Sequence, residues 1–530
     1  MQKIVYFFGI CLLLFSCTSV KTYNEQIAVN HSVRSLKKDV DVAYKRLKKL
    51  HPRLYQYISK PKLESKFDSL KKTIVKPLSS QQFYEKLAPV IAEVRQGHIS
   101  VNPPLKRFNN KERKLLNKKK FEFYELDFEF LNDNLWIVNT RGADSILVGS
   151  KTLKIDGENV DKLFNKYKKL FSSDGYNSTF QNRIVASRFS GFYYRDKGFV
   201  DSLSLTLKKG DSLFTKVLRR IPKDSVPGKI KIDSLHKKPK KLTESEKKEQ
   251  KLKEKQKREK DYIYGYEKAR DRYTRNFNFI GKDSSVAIMK IRGFGNGNYK
   301  KFYQKSFVVM DSAKTEYLIL DLRDNTGGRL DEIDKLYSYL TNKNYQLIEK
   351  AEVLTRQPFL TSMLSKNNPT FIKIGATLLS PFMAIHNLFK SGKKDGKKYY
   401  SFSSSKLKKP NPLNFKGEIY VLINGASFSA SSILSTNLHA NKRATFVGEE
   451  TGGAYNGTVA GLFKYIELPN SKVKMNIGLA QIEAPYSTNP DGYGIKPDVQ
   501  IIPTIEDRLH NIDPELEWVL EDIENKKNDK

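Results

Sequence analysis

Four short apolar runs in the C-terminal half of the chain constrain its fold most: "SVAIMKI", "YLILDL", "EIYVLI" and "ATFVGE". The central ones are near-continuous stretches of β-branched and aliphatic residues without polar alternation, as expected of parallel strands buried on both faces. Helical patterns lie between them, which predicts an α/β domain beginning near residue 284. Between the second and third runs, residues 350–408 read as an insertion containing "FIKIGATLLSPFMAIHNLF". That apolar stretch is shorter than the roughly 20 residues needed to span a bilayer and contains Lys373 and His386. It is expected to cover a cleft or to lie against lipid.

The rest of the chain divides by pattern. Residues 33–104 read as a small helical domain, with Val40, Ala43, Leu47 and Leu50 at helical spacing and serines suited to capping "SSQQFYEKLAPVIAEV". Residues 105–222 read as β-rich, starting with a hairpin around an Asn-Asp turn. Within them "GSKTLKIDGENVDKLF" gives strand, Asp-Gly turn and helix. The segment 223–262 is a lysine- and glutamate-rich linker that cannot bury enough apolar surface to offset its ordering entropy. Residues 263–510 form the α/β domain, and 511–530 a polar C-terminal tail.

The N-terminus, "MQKIVYFFGICLLLFSC", has an early lysine and an apolar stretch too short for a membrane span, the pattern of a signal peptide over residues 1–16. "LFSC" resembles a bacterial lipobox, which implies lipidation of Cys17, a tether over 17–32, and a location outside the cytoplasm on an envelope membrane (periplasmic or outer). Both cysteines, Cys11 and Cys17, lie here, so a mature chain starting at Cys17 has no internal disulfide and no cysteine metal site. The net charge of +37 invites a nucleic-acid reading. The lysines are spread along the chain, however, and no nucleic-acid-binding signature accompanies them, so no nucleic-acid partner is expected. No metal-ligand spacing such as H-E-x-x-H occurs, and no metal or cofactor is expected.

Two strand ends carry the chemistry. "YLILDLRDNTGG" (Tyr317–Gly328) ends a buried strand in charged residues and two glycines, where backbone N–H groups can face an anion. "YVLINGASFSASSIL" (Tyr420–Leu434) passes from strand to helix through a cluster of small residues, including Ser427, Ser429, Ser431 and Ser432. A serine on such a turn has an exposed Oγ flanked by free N–H groups, the logic of a nucleophile elbow, although the G-x-S-x-G form is absent.

With "ATFVGEETGG" and "DGYGIKPDVQI" downstream, the ordered set resembles the C-terminal processing peptidases, or tail-specific proteases, which include the tricorn protease core and interphotoreceptor retinoid-binding protein. That resemblance implies a ClpP/crotonase-like sheet with helices and a PDZ-like module in the β-rich region. It further implies a serine peptidase acting through an acyl-enzyme on unfolded or C-terminal peptide segments. It assigns Ser429 as nucleophile and the N–H groups of Ala430 and of Gly327 or Gly328 as oxyanion donors. Two departures stand out: Ser432 replaces the family's glutamate, and "GGAYNGTVAG" lacks the lysine of the Ser/Lys branch. The tricorn-like branch uses histidine instead. "VRQGHISV" supplies His98, with Gln96 where that branch has aspartate, and Asp491 precedes "GYGIKPD". His98 is thus the expected base and Asp491 its orienting acid, with Glu449, Glu450, Glu483 and Asp498 as alternative acids and His439 as a less favoured base. The departures leave open a non-catalytic peptide- or lipid-binding lipoprotein on the same scaffold.

Overall fold

The computed structural model describes residues 19–142, 144–223, 243–268, 270–295 and 297–529. The leader and Cys17 lie outside the described residues. The α/β domain is organised on a six-stranded sheet in the order Arg275–Ile280, Val286–Ile291, Tyr317–Asp321, Glu418–Ile423, Thr445–Gly448, Val499–Gln500. The first pair is antiparallel and the others are parallel. The apolar runs follow from two-sided burial. In the strand Tyr317–Asp321, Leu318 and Leu320 enter one core, while Tyr317 and Ile319 enter another on the opposite face.

The second face is covered by the C-terminal residues, which form the helix Pro514–Asn528 rather than a free polar tail. The expectation failed because its apolar positions, Val519 and Ile523 one turn apart, are embedded among glutamates and lysines. An ion cluster fixes this helix. Buried Arg323 donates to both carboxylate oxygens of Asp321 and of Asp513, the helix N-cap, and pairs with buried Glu515 at 3.2 Å. Burial alone would raise the Asp321 carboxyl, but Arg323 and Lys290 outweigh it and hold the group well below the usual range.

The other expected regions share one continuous core. It runs from the helix Val33–Leu50 through the β-rich sheet to Leu468–Leu479. The β-rich sheet has the order Lys119–Phe121, Ser212–Pro222, Ser202–Lys209, Ser150–Ile155, Asn134–Thr140, Leu126–Leu131. The strand, Asp-Gly turn and helix read from the sequence are present as Ser150–Ile155 and Val160–Lys168. In the charged segment, residues Glu244–Tyr264 form a helix opened by a Thr243/Glu246 capping box, with only Ile263 buried.

A third sheet joins the two halves. Ser100–Asn102 pairs antiparallel with Lys474–Ile482, which also pairs with Thr458–Glu467 and with Ala351–Val353. Removing Arg323 leaves Glu515 buried without its cation and Asp321 with Lys290 alone. We expect Arg323→Leu to lower unfolding free energy by about 3–5 kcal/mol, read by urea denaturation. An unchanged midpoint would show that the cluster does not hold the C-terminal helix.

Candidate active site

The serine cluster resolves into residues that build the corner and one that faces the cleft. Asn424 ends the strand Glu418–Ile423 and ties the two strand ends together. Its Oδ1 accepts the N–H of Asp324 and of Ala426, both at 3.0 Å, and its Nδ2 donates to Asp324 Oδ1. Ser427 Oγ donates to Leu322 O at 2.8 Å, and Ser432 Oγ donates to Ser427 O at 3.0 Å. The Ser431 N–H donates to Phe428 O at 3.1 Å, closing a tight turn over residues 428–431.

Ser429 occupies the first central position of that turn at φ 58° and ψ −121°, a type II′ conformation where glycine is the usual residue. A non-glycine residue there stores strain that the surrounding contacts must hold. It also lifts the side chain clear of the helix Ala430–Ala440 that follows.

Gly327 presses against this turn at φ 96°. A Cβ on it would stand 2.7 Å from Ser429 Cβ and 2.8 Å from Ala430 N, so only glycine fits. Its N–H donates to Asn325 Oδ1 at 2.9 Å, which removes it as a free donor. Among the described residues, the N–H groups of Gly328 and Ala430 have no acceptor. These two are the candidate oxyanion donors.

His98 reaches this corner from the far end of the chain. Its Nε2 stands 2.9 Å from Ser429 Oγ and its Nδ1 2.9 Å from Thr458 Oγ1. The ring stacks on Phe428 with centroids 4.7 Å apart and on Phe463 at 5.9 Å. Burial lowers the imidazole pKa to about 4, so the ring is neutral near pH 7. In the tautomer with the proton on Nδ1, that nitrogen donates to Thr458 Oγ1 and Nε2 accepts from Ser429 Oγ.

Asp174, fully buried, interacts with the Thr458 hydroxyl. Its Oδ1 accepts the N–H of Gly97 at 2.8 Å, while Oδ2 has no hydrogen bond among the described residues. Burial raises this carboxyl to about 7, against the Gly97 N–H and the Thr458 hydroxyl, which favour its charged form. A second histidine, His51, lies fully buried near His98, and burial first and the His98 charge second push it down to about 3.

The expected acid is elsewhere. Asp491 accepts from Gln56 Nε2 at 2.9 Å and from its neighbour's N–H at Gly492. Gln56 in turn accepts from Gln96. The loop carrying Asp491 thus braces the segment before His98, and both ring nitrogens are engaged by other groups. The alternative acids are also committed: Glu449 to Arg183 and Gly425, Glu450 to Gly494, Glu483 to Gln481, and Asp498 to Phe446. His439 pairs with Tyr455. A wide depression of about 1160 Å³ beside His439, lined by Glu418 and Lys442, includes neither Ser429 nor His98.

Thr458 and Asp174 were missed in the sequence. Thr458 lies in the segment searched for a lysine, and a hydroxyl there carries no motif. Asp174 stands in "SSDGYN", an ordinary turn sequence with nothing linking it to Gly97.

A strained serine against a histidine, beside free N–H groups at the carboxyl ends of an α/β sheet, is the arrangement that serine acyl-transfer chemistry requires. Residues 285–501 match the model of Peptidase family S41, so this part of the chain is similar to the C-terminal processing peptidases. The crystal structure of mature CPAF aligns with a TM-score of 0.57 at 15% identity, over 90% of this chain and 94% of that one. The structure of mature CPAF complexed with lactacystin gives 0.56 at 15% identity, over 90% and 95%. At that identity the likeness is one of fold. No curated protein matches the chain.

The strain at residue 429 is testable without chemistry. Ser429→Gly and Ser429→Ala both remove the hydroxyl, but only glycine relaxes the positive φ. We expect the glycine variant to be the more stable by about 1 kcal/mol, measured by thermal unfolding. An alanine variant of equal or greater stability would remove the strained-turn description.

Proposed function

We propose that the chain is an envelope-anchored serine endopeptidase in which Ser429 is the nucleophile and His98 the general base. The 2.9 Å contact between His98 Nε2 and Ser429 Oγ carries this reading. Ser429 Oγ attacks the scissile carbonyl as His98 Nε2 takes its proton. The developing oxyanion is held by the N–H groups of Ala430 and Gly328, each such donor being worth roughly 3–4 kcal/mol. His98 then protonates the departing amine, and water entering from the same side hydrolyses the acyl-enzyme.

Thr458 and Asp174 do the work first expected of Asp491. With the Thr458 hydroxyl accepting from Nδ1–H, rotation of its own proton toward the unpartnered Asp174 Oδ2 would fix the tautomer and steady the imidazolium that forms. The triad thereby becomes a Ser429–His98–Thr458–Asp174 series. The substrate class is an unfolded or C-terminal peptide segment, held extended near the PDZ-like β-rich region, and anchoring is through a lipid on Cys17.

Hydrolysis of an unfolded protein substrate tests the pair. Ser429→Ala and His98→Ala should each lose on the order of 10⁴–10⁶-fold in kcat, and Thr458→Val roughly 10²-fold. An active Ser429→Ala enzyme would overturn the assignment.

The pH profile tests the series. His98 must be neutral to accept a proton, so kcat/KM should rise with pH through about 4. A second rise through about 7 should follow as Asp174 becomes the anion that stabilises the imidazolium. Asp174→Asn should keep the lower step and lose the upper. An unchanged profile in Asp174→Asn would exclude that residue from the series.

A further inference from the structure

The insertion carries an apolar surface that the rest of the molecule leaves uncovered. Helices Thr370–Leu378 and Ser380–Lys390 follow one another across the single residue Leu379, and among their described side chains only Ala376 and Asn387 are buried. Large side chains stand in solvent at helical spacing: Phe371 is 72% exposed, Leu378 73%, Phe382 71% and Phe389 86%, with Leu379 and Ile385 beside them. A surface helix of a soluble domain buries such a stripe; this pair presents it.

The charge around it is one-signed. From Leu354 to Lys394 the chain has no aspartate or glutamate, while Arg356, Lys366, Lys373, Lys390, Lys393 and Lys394 are all basic. Among the described residues no helix is long and apolar enough to cross a membrane. Short helices with a phenylalanine- and leucine-rich face flanked by lysines are the form that lies in the headgroup region of a bilayer. The basic flanks match anionic headgroups, each lysine near such a surface adding attraction that salt screens. A protein partner or a second copy would have to meet this unbroken positive field with an acidic surface, and the chain's own net charge of +37 argues against a copy of itself.

We propose that the helix pair 370–390 is a lipid-docking element that inserts its apolar face into an anionic membrane surface. It is rooted at the candidate active site. The preceding helix Pro358–Met363 is bound through its Thr361 carbonyl to Lys464 at 3.0 Å, and Ser365 donates to Phe463 O at 3.2 Å. Phe463 stacks on His98, and the same strand begins with Thr458. Docking therefore holds the Ser429 corner close to the lipid surface, where polypeptide segments emerging from a bilayer are the nearest substrates. The inference requires neither the peptidase reading nor the Cys17 anchor.

A fluorescent reporter within the helix pair tests this. The two native tryptophans, Trp136 and Trp518, lie outside it, so the difference spectrum of full-length Phe389→Trp against wild type isolates position 389. With vesicles of phosphatidylglycerol and phosphatidylethanolamine, the new tryptophan should shift to the blue and be quenched by brominated lipid chains. Vesicles of phosphatidylcholine alone should give little change. Adding Phe371→Asp and Phe382→Asp should weaken the lipid response by at least about tenfold, with hydrolysis of a soluble peptide unchanged. A residue 389 tryptophan that stays unshifted and unquenched while the protein is vesicle-bound would overturn the proposal. So would a blue shift that appears without lipid and grows with protein concentration, which would mark a surface between copies. Loss of peptide hydrolysis in the Ser429→Ala protein leaves this readout untouched, so the two readings fail separately.

Discussion

A three-residue strand holds the site together. Ser100–Asn102 pairs with Lys474–Asn476 of the long hairpin, with Ser100 opposite Asn476. This fixes His98, two residues upstream, beside a serine 331 positions away in sequence. The hairpin's other strand opens at Thr458, so one sheet delivers both the ring and the hydroxyl that orients it. Gly97 completes the join because a Cβ there would fall 2.7 Å from the Phe428 ring. The imidazole thus stacks on Phe428 and Phe463, and this partial burial accounts for its lowered pKa.

Against that fixed ring the serine is held in a conformation it would not choose. The turn at 428–431 is bound on every side: Asn325 O takes the Phe428 N–H, Asn424 ties it to Asp324, and Gly327 abuts it. Neighbouring contacts determine the turn so fully that a positive φ at Ser429 persists, and the result is an Oγ aimed outward. The Asp-Leu-Arg part of the upstream motif serves the scaffold instead. Asp321 and Arg323 clamp the sheet to the C-terminal helix, which keeps the strand ends carrying Asn325 and Gly327 at constant height.

Much of this was legible in the sequence because it is local. Uninterrupted apolar runs marked the parallel strands, and the glycine pair and the serine cluster marked the two corners, since steric need for small residues shows in residue type. His98 was legible through its flanking segment. The orienting pair was not, because Thr458 and Asp174 gain their roles only from burial and from contacts across hundreds of residues. Asp491 misled for the same reason: its place before "GYGIKPD" suited an acid, yet Gln56 and the Gly492 N–H take its oxygens. The C-terminal helix escaped notice because five apolar positions in a charged stretch look like a tail until a sheet face needs cover.

The central claim is that Ser429 is activated by His98, and covalent labelling tests it most directly. The protein is treated with a fluorophosphonate and the adduct mapped by peptide mass spectrometry, in wild type and in His98→Ala. The account requires the phosphonyl group on Ser429 in the wild type and its loss in the folded His98→Ala protein. Label on another serine, or undiminished label on Ser429 without His98, would contradict it.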